Sequence, residues 1–244
     1  MSVIEQGSMN KKTARTAGLL YLIVVVTGII NLAYVPSRIV VRGDVSATVG
    51  NITTFEPLFR FGIVAGLICY TAFLLLPLAL YKLLHPVGKV AAILMVAFAV
   101  VSVPVSFGNE LNKLEILSLL SRGDYLRAFT TEQLQSRVRL LLDAYSNGLL
   151  VLQIFWGLWL LPFGYLVFKS GVLPRVLGIL LMMGGCGYVI DFFGSALFRG
   201  YAETSISNYV TKPASFGEIG ICLWLLIVGV RQPKSPVVSV RGAA

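Results

Sequence analysis

Six apolar stretches, each long enough to cross a bilayer, take up most of this chain. A helix needs about 20 predominantly apolar residues to span the hydrocarbon layer. The spans are drawn at residues 16–35, 58–82, 88–111, 140–168, 172–198 and 213–230. The expected fold class is therefore all-α: an integral membrane bundle of six transmembrane helices over residues 16–230. Residues 1–15 and 231–244 are read as short tails. In a chain of 244 residues these spans leave no room for a separate soluble domain.

Local signals refine the helix ends. The helical pattern of the third span continues past Phe107 through Glu110 and Lys113 to Leu120. Thr130-Thr131-Glu132-Gln133 contains a T-x-x-Q capping box, which starts the fourth helix well before its apolar part. From Glu132 to Phe168 such a helix is ~55 Å long at 1.5 Å per residue, against a hydrocarbon core of ~30 Å. The third and fourth helices are thus expected to project beyond the membrane on one side. The first span is expected to end before Pro36, and Pro213 suits the first turn of the last span. Asp44 and Asp124 each follow Arg-Gly and are read as helix caps rather than adhesion triplets. Asn51-Ile52-Thr53 matches a glycosylation acceptor, a pattern common by chance.

Composition fits this class. Hydrophobic residues make up 57% of the chain and charged residues only 13%, and the mean hydropathy is +0.83. The net charge of +9 would suggest nucleic acid in a soluble protein. Here the basic residues flank spans, so no nucleic-acid partner is expected; topology and anionic lipid account for them. Lys11, Lys12 and Arg15 precede the first span, and Lys82, Lys89, Lys169 and Arg175 lie in loops on the same side. With Arg231, Lys234 and Arg241 added to that side, the opposite side holds as many Lys and Arg until Arg60, Lys113, Arg137 and Arg139, which face acidic partners on helices, are set aside. Both termini are expected in the cytoplasm. Cys69, Cys186 and Cys222 fall inside apolar stretches without metal-type spacing and are read as packing residues.

Polar side chains inside spans are costly and mark candidate sites. Arg60 lies at the outer end of span two, and Glu110 and Lys113 at that of span three. Asp143, Ser146, Asn147 and Gln153 form a stripe on span four. Asp191 and Glu218 are lone acids in spans five and six, with glycines nearby that serve either close helix packing or a ligand. Arg60 is expected to pair with Glu110 or Glu218, and Arg139 with Asp143. The candidate ligand-binding set is Arg60, Glu110, Lys113, Asp143, Asn147, Asp191 and Glu218, with Asp191 and Glu218 facing the interior near Arg60 and the Asp143–Asn147 stripe. The bland alternative is a set of interhelical bonds worth about a kcal/mol each. Leu75-Leu76-Pro77, echoed by Leu160-Leu161-Pro162, hints that spans two–three and four–five are duplicated hairpins.

Several chemistries find no support. The single histidine, His85, sits in a loop, so neither a zinc hydrolase nor a Ser–His pair is expected, and no catalytic or metal residue is assigned. No Walker or dinucleotide fingerprint occurs, and no cofactor is expected.

Four segments together resemble a known family. They are Gly18-Leu19-Leu20-Tyr21-Leu22, Trp156 through Tyr165, Gly187-Tyr188-Val189-Ile190-Asp191-Phe192 and Pro213 through Gly220. They are similar to the prokaryotic membrane family called domain of unknown function 4386, over about Lys11 to Arg231. The resemblance implies a multi-pass membrane protein of bacteria or archaea and no activity. The leading expectation is a polar pocket in the outer half of the bundle that binds or translocates a small polar or cationic solute or a lipid headgroup. A membrane enzyme using carboxylates as acid and base, or an assembly or regulatory partner without a small-molecule site, are the alternatives.

Overall fold

A computed structural model describes residues 3–121, 123 and 129–230, with side chains from Lys11 onward. Every regular element among the described residues is helical: α1 (Val3–Ile29), a π-helical turn (Ile30–Tyr34), α2 (Val35–Ile39), α3 (Val45–Thr54), α4 (Glu56–Leu84), α5 (Lys89–Leu120), α6 (Thr131–Lys169), α7 (Arg175–Leu197), a 3-10 turn (Tyr201–Glu203), α8 (Ser205–Tyr209) and α9 (Lys212–Ile227). Six helical segments are long and apolar enough to cross a membrane. The expected cap of a helix by Asp124 lies outside the described residues.

The long helices form a ring in chain order. Each of α4, α5, α6, α7 and α9 packs on its predecessor, and α1 packs on α9 to close the circle. A Cβ on Gly229, just past α9, would lie 3.8 Å from the Cβ of Ala14. The N-terminal part of α1 and the end of α9 therefore share one end of the bundle, called proximal here. The opposite, distal end carries α3 and α8. The α5 and α6 helices have 32 and 39 residues, or about 48 and 58 Å, and project on the distal side.

Two apolar clusters fill the ring. The larger one occupies the proximal half, where Tyr21, Leu76, Leu80, Met95, Trp159, Leu160 and Phe163 are almost wholly buried. Trp159 is stacked on Phe163 at 5.1 Å between ring centroids and meets Phe73 edge-on at 5.0 Å. The smaller, distal cluster joins Val35, Ile39, Ile52, Phe59, Ile63, Ile116, Leu117 and Val138. It covers the projecting parts of α5 and α6 with α2 and α3, and Gln135 Nε2 donates to Ser46 Oγ at 3.1 Å across that contact.

Glycines set how closely neighbours approach. A Cβ on Gly164 of α6 would sit 2.6 Å from the Gly178 carbonyl oxygen of α7, and one on Gly178 would return the same clash. Further along, a Cβ on Gly184 would overlap Ala214 of α9, and one on Gly187 would overlap the Val210 carbonyl. Close backbone approach through small residues is how helices gain packing energy where lipid removes the hydrophobic drive. The glycines near Asp191 are thus packing surfaces. Gly217 and Gly220 beside Glu218 press on Leu181 and Leu177 of α7.

Local signals hold at three ends. Thr130 accepts from the Gln133 amide and the Gln133 side chain returns the bond to the Thr130 amide. Asp44 accepts from the Ala47 amide at 2.8 Å and starts α3. Pro213 stands in the first turn of α9. Asn51 belongs to α3 and donates to the Ile39 carbonyl at 3.1 Å.

Two boundaries differ from expectation. The first apolar helix does not stop at Pro36 but runs from Lys11 to Ile39. A proline removes one N–H and crowds the preceding turn. The π-helical turn just before it, closed by Val35 N–H to the Ile30 carbonyl, widens the helix at that point. The last crossing begins before residue 213: α9 alone spans about 24 Å, too short for a ~30 Å layer, and α8 supplements it.

Candidate functional site

A polar layer separates the two apolar clusters. Glu110 and Lys113 lie one turn apart on α5, only 1% and 6% exposed. Lys113 Nζ stands 3.3 Å from Glu110 Oε1 and 3.1 Å from Oε2. The π-helical turn brings Asn31 against both: its Nδ2 donates to Glu110 Oε1 at 2.9 Å, and its Oδ1 accepts from Lys113 at 2.6 Å. Tyr145 of α6 donates to Glu110 Oε1 at 3.3 Å, and its ring faces Lys113 Nζ at 4.0 Å. Tyr70 of α4 is buried as well and meets Phe107 of α5 edge-on at 6.3 Å. A Cβ at Gly66 would lie 2.7 Å from both Asn31 Nδ2 and Glu110 Oε1, so glycine there lets α4 close on the layer. Two charges buried together repay their desolvation only when geometry and extra hydrogen bonds are good. Glu110 Oε2 makes no hydrogen bond among the described residues, although the ammonium is close.

Beyond this layer lies a distal cavity of about 450 Å³, with Lys113, Asn31 and Tyr145 on one side and Arg42 in its lining. Below it lies a central cavity of about 290 Å³. Leu32 and Ala33, in the π-helical turn, line both.

The central cavity combines one acid with many aromatic faces. Its walls include Tyr21 of α1, Tyr70 and Phe73 of α4, Trp156 and Trp159 of α6, and Tyr188 of α7. Glu218 of α9 supplies the carboxylate. Tyr21 donates its hydroxyl to Glu218 Oε1 at 3.0 Å. Among the described residues no Lys or Arg forms an ion pair with Glu218. Trp156 and Tyr188 meet edge-on at 6.2 Å. Aromatic faces attract cations through the ring quadrupole, and a carboxylate in its ionised form adds charge attraction. The chamber is therefore complementary to a positively charged, partly apolar group.

The remaining candidates stand elsewhere. Asp191 lies one turn past Tyr188 on α7, outside the lining of the central cavity. It accepts from Gln153 Nε2 at 3.1 Å and from Ser207 Oγ of α8 at 3.2 Å, so α6, α7 and α8 meet at its carboxylate. Arg60 pairs with Glu56 at 2.7 Å on an exposed face, instead of with Glu110 or Glu218. The reason is local: Glu56 is one turn away in water-accessible space, while Glu110 already holds Lys113. Arg139 pairs with Asp143 at 2.9 Å as its spacing predicts, and both are about half exposed. Asn147 is also exposed. The seven candidates thus form a buried pair (Glu110, Lys113), a central acid (Glu218), a seam acid (Asp191) and a surface set (Arg60, Asp143, Asn147). Asp191 meets the α6 stripe only at Gln153, and neither Asp191 nor Glu218 pairs with Arg60.

Asn31, Tyr21, Tyr70 and Tyr145 belong to these sites without having stood out in the sequence. Asn31 carried a usable signal, a lone amide within an apolar span. The tyrosines did not, because a membrane tyrosine reads as an interface anchor until its hydroxyl partner is known. Among the described residues no three or more His, Cys, Asp or Glu side chains gather as a metal would need.

Comparison with known proteins is consistent with the helical architecture. The model of the family described as "Domain of unknown function (DUF4386)" matches residues 16–229. An uncharacterised protein of Archaeoglobus fulgidus is 34% identical over 161 residues, which cover 66% of this chain and 78% of that one. No solved structure matches the chain.

Proposed function

We propose that this chain, which belongs to the DUF4386 family of multi-pass membrane proteins, binds a small organic cation in its central cavity. One observation carries the reading: Glu218 faces a chamber walled by Tyr21, Tyr70, Phe73, Trp156, Trp159 and Tyr188, with no Lys or Arg ion-paired to it among the described residues. A cation held between aromatic faces gains about 0.5–2 kcal/mol from them. Glu218 adds charge attraction that a neutral molecule of the same shape lacks. The packed proximal half favours a binding chamber over an open conduit, because Trp159, Phe163, Leu76, Leu80 and Leu160 are almost wholly buried there.

The natural setting in this reading is a prokaryotic cell membrane with both termini cytoplasmic. Lys11, Lys12, Arg15, Lys82, Lys89, Lys169 and Arg175 lie toward the proximal end, as cytoplasmic loops prefer.

The test compares choline with its uncharged isostere 3,3-dimethylbutanol in thermal unfolding of the purified protein. Choline should raise the unfolding temperature of the wild type, and the isostere should not. Glu218→Gln should lose the choline effect. Equal responses to both compounds, or a choline effect that survives Glu218→Gln, would overturn the reading.

A further inference from the structure

We infer that the central cavity opens sideways to the lipid, and that its cation is the head of an amphiphile whose hydrocarbon chain stays in the bilayer. This rests on the organic-cation reading and names the substrate class for the same chamber.

The seam between α1 and α9 is closed toward the proximal end. A Cβ on Gly18 would lie 2.7 Å from the Leu226 amide, and the Cys222 thiol reaches the Gly18 carbonyl at 3.7 Å. Tyr21 and Glu218 make the last bond of the closed part. Beyond them the cavity occupies the gap between the two helices: Val25 and Ile29 line it from α1, Leu32 from the π-helical turn, and Ser215 and Ile219 from α9.

The rim is apolar and exposed. Ile29 is 52% exposed, Leu32 38% and Ile219 42%. These residues continue belts of exposed apolar side chains on the same helices, Leu19 and Val26 on α1 and Phe216 and Leu223 on α9. In a membrane bundle such belts face lipid, so the rim stands against hydrocarbon rather than water. Packed side chains stand at both ends of the chamber. The aromatic stack around Trp159 closes the proximal side, and the Asn31–Glu110–Lys113–Tyr145 layer stands on the distal side.

A ligand reaching Glu218 by this route must first partition into the bilayer. A bare cation does so poorly, and a cation on a hydrocarbon chain does so well. The charge enters between Tyr21, Trp156 and Tyr188 to meet Glu218, and the chain passes out between Ile29 and Ile219. The occupant is an amine or quaternary ammonium bearing an acyl, alkyl or isoprenoid chain.

The experiment uses the full chain in nanodiscs of uncharged lipid and a series of alkyltrimethylammonium ions, from choline to hexadecyltrimethylammonium. Binding to wild type, Glu218→Gln and Ile29→Trp is measured. Each added methylene should tighten apparent binding from water by about fourfold, the increment for moving a CH2 out of water. Glu218→Gln should weaken every member. Ile29→Trp narrows the rim and should weaken the hexadecyl compound by at least about tenfold more than it weakens choline; Ile219→Phe is the second rim variant should the first fail to fold. Loss of binding once the chain exceeds a few carbons, with choline still bound through Glu218, would mean a chamber closed to lipid and overturn this inference alone. Rim variants that bind the hexadecyl compound as tightly as the wild type does would overturn it equally. If no member binds in a Glu218-dependent way, the organic-cation reading falls as well.

Discussion

Tyr21 on the first long helix donates its hydroxyl to Glu218 on the last, 3.0 Å away, and this bond ties the two ends of the chain's ring together. It also positions the acid: one oxygen is held by the tyrosine while the carboxylate lines the cavity. Replacing Tyr21 by Phe separates these roles. The protein should lose about 1 kcal/mol, the usual worth of an interhelical hydrogen bond in a membrane. Choline should still stabilise it, because the carboxylate remains. Thermal unfolding with and without choline checks both parts.

The Glu110–Lys113 pair behaves differently, because each charge depends on the other. Lys113→Met leaves a buried carboxylate without its cation and should destabilise by ~3–5 kcal/mol. The double variant Glu110→Leu with Lys113→Met should recover much of that loss. Chemical unfolding of both single variants and the double variant, as a double-mutant cycle, measures the coupling.

Glycine positions give a paired prediction. Gly184→Val drives a branched side chain into Ala214 of α9 and should cost about 1–3 kcal/mol through overpacking. Gly50→Ala, on an exposed face of α3 with open space around it, should be neutral or stabilising by up to ~1 kcal/mol. Their unfolding temperatures should move in opposite directions, or the second should not move at all.

The helical class, the six spans and the capping of α3 and α6 were legible because they depend on local patterns: apolar runs, Thr130 with Gln133, and Asp44. The site was legible only by residue type. Asp191, Glu218, Glu110 and Lys113 stand out as charges within apolar runs, yet their partners are set by helix rotation and ring order. Arg60 illustrates the difficulty. At the sequence level it is a cation matched to Glu110 or Glu218, and the acid it takes is Glu56, one turn away. The aromatic walls were hidden for another reason. Trp156, Trp159 and Tyr188 come from two helices and resemble packing residues until α1, α4 and α9 are laid against them. The π-helical turn at Ile30–Tyr34, which presents Asn31 to the polar layer, has no recognised sequence signature beyond the proline that follows it.

Orientation has its own check. Single cysteines at Ser121, past the distal end of α5, and at Ser170, after α6 at the proximal end, can be placed in a background lacking Cys69, Cys186 and Cys222. In intact cells an impermeant thiol reagent should label the first and spare the second. The reverse pattern would place both termini outside.

The central claim is a cation held by Glu218 among aromatic faces, and the most direct measurement is a structure in lipid with a bromine-labelled alkyltrimethylammonium bound. The account predicts the ammonium within about 6 Å of the Trp156 or Tyr21 ring, the range of cation–π contact, and beside the Glu218 carboxylate, with the bromine emerging between Ile29 and Ile219. A ligand lodged elsewhere, with the central cavity filled by side chains or by an uncharged acyl chain, would contradict it.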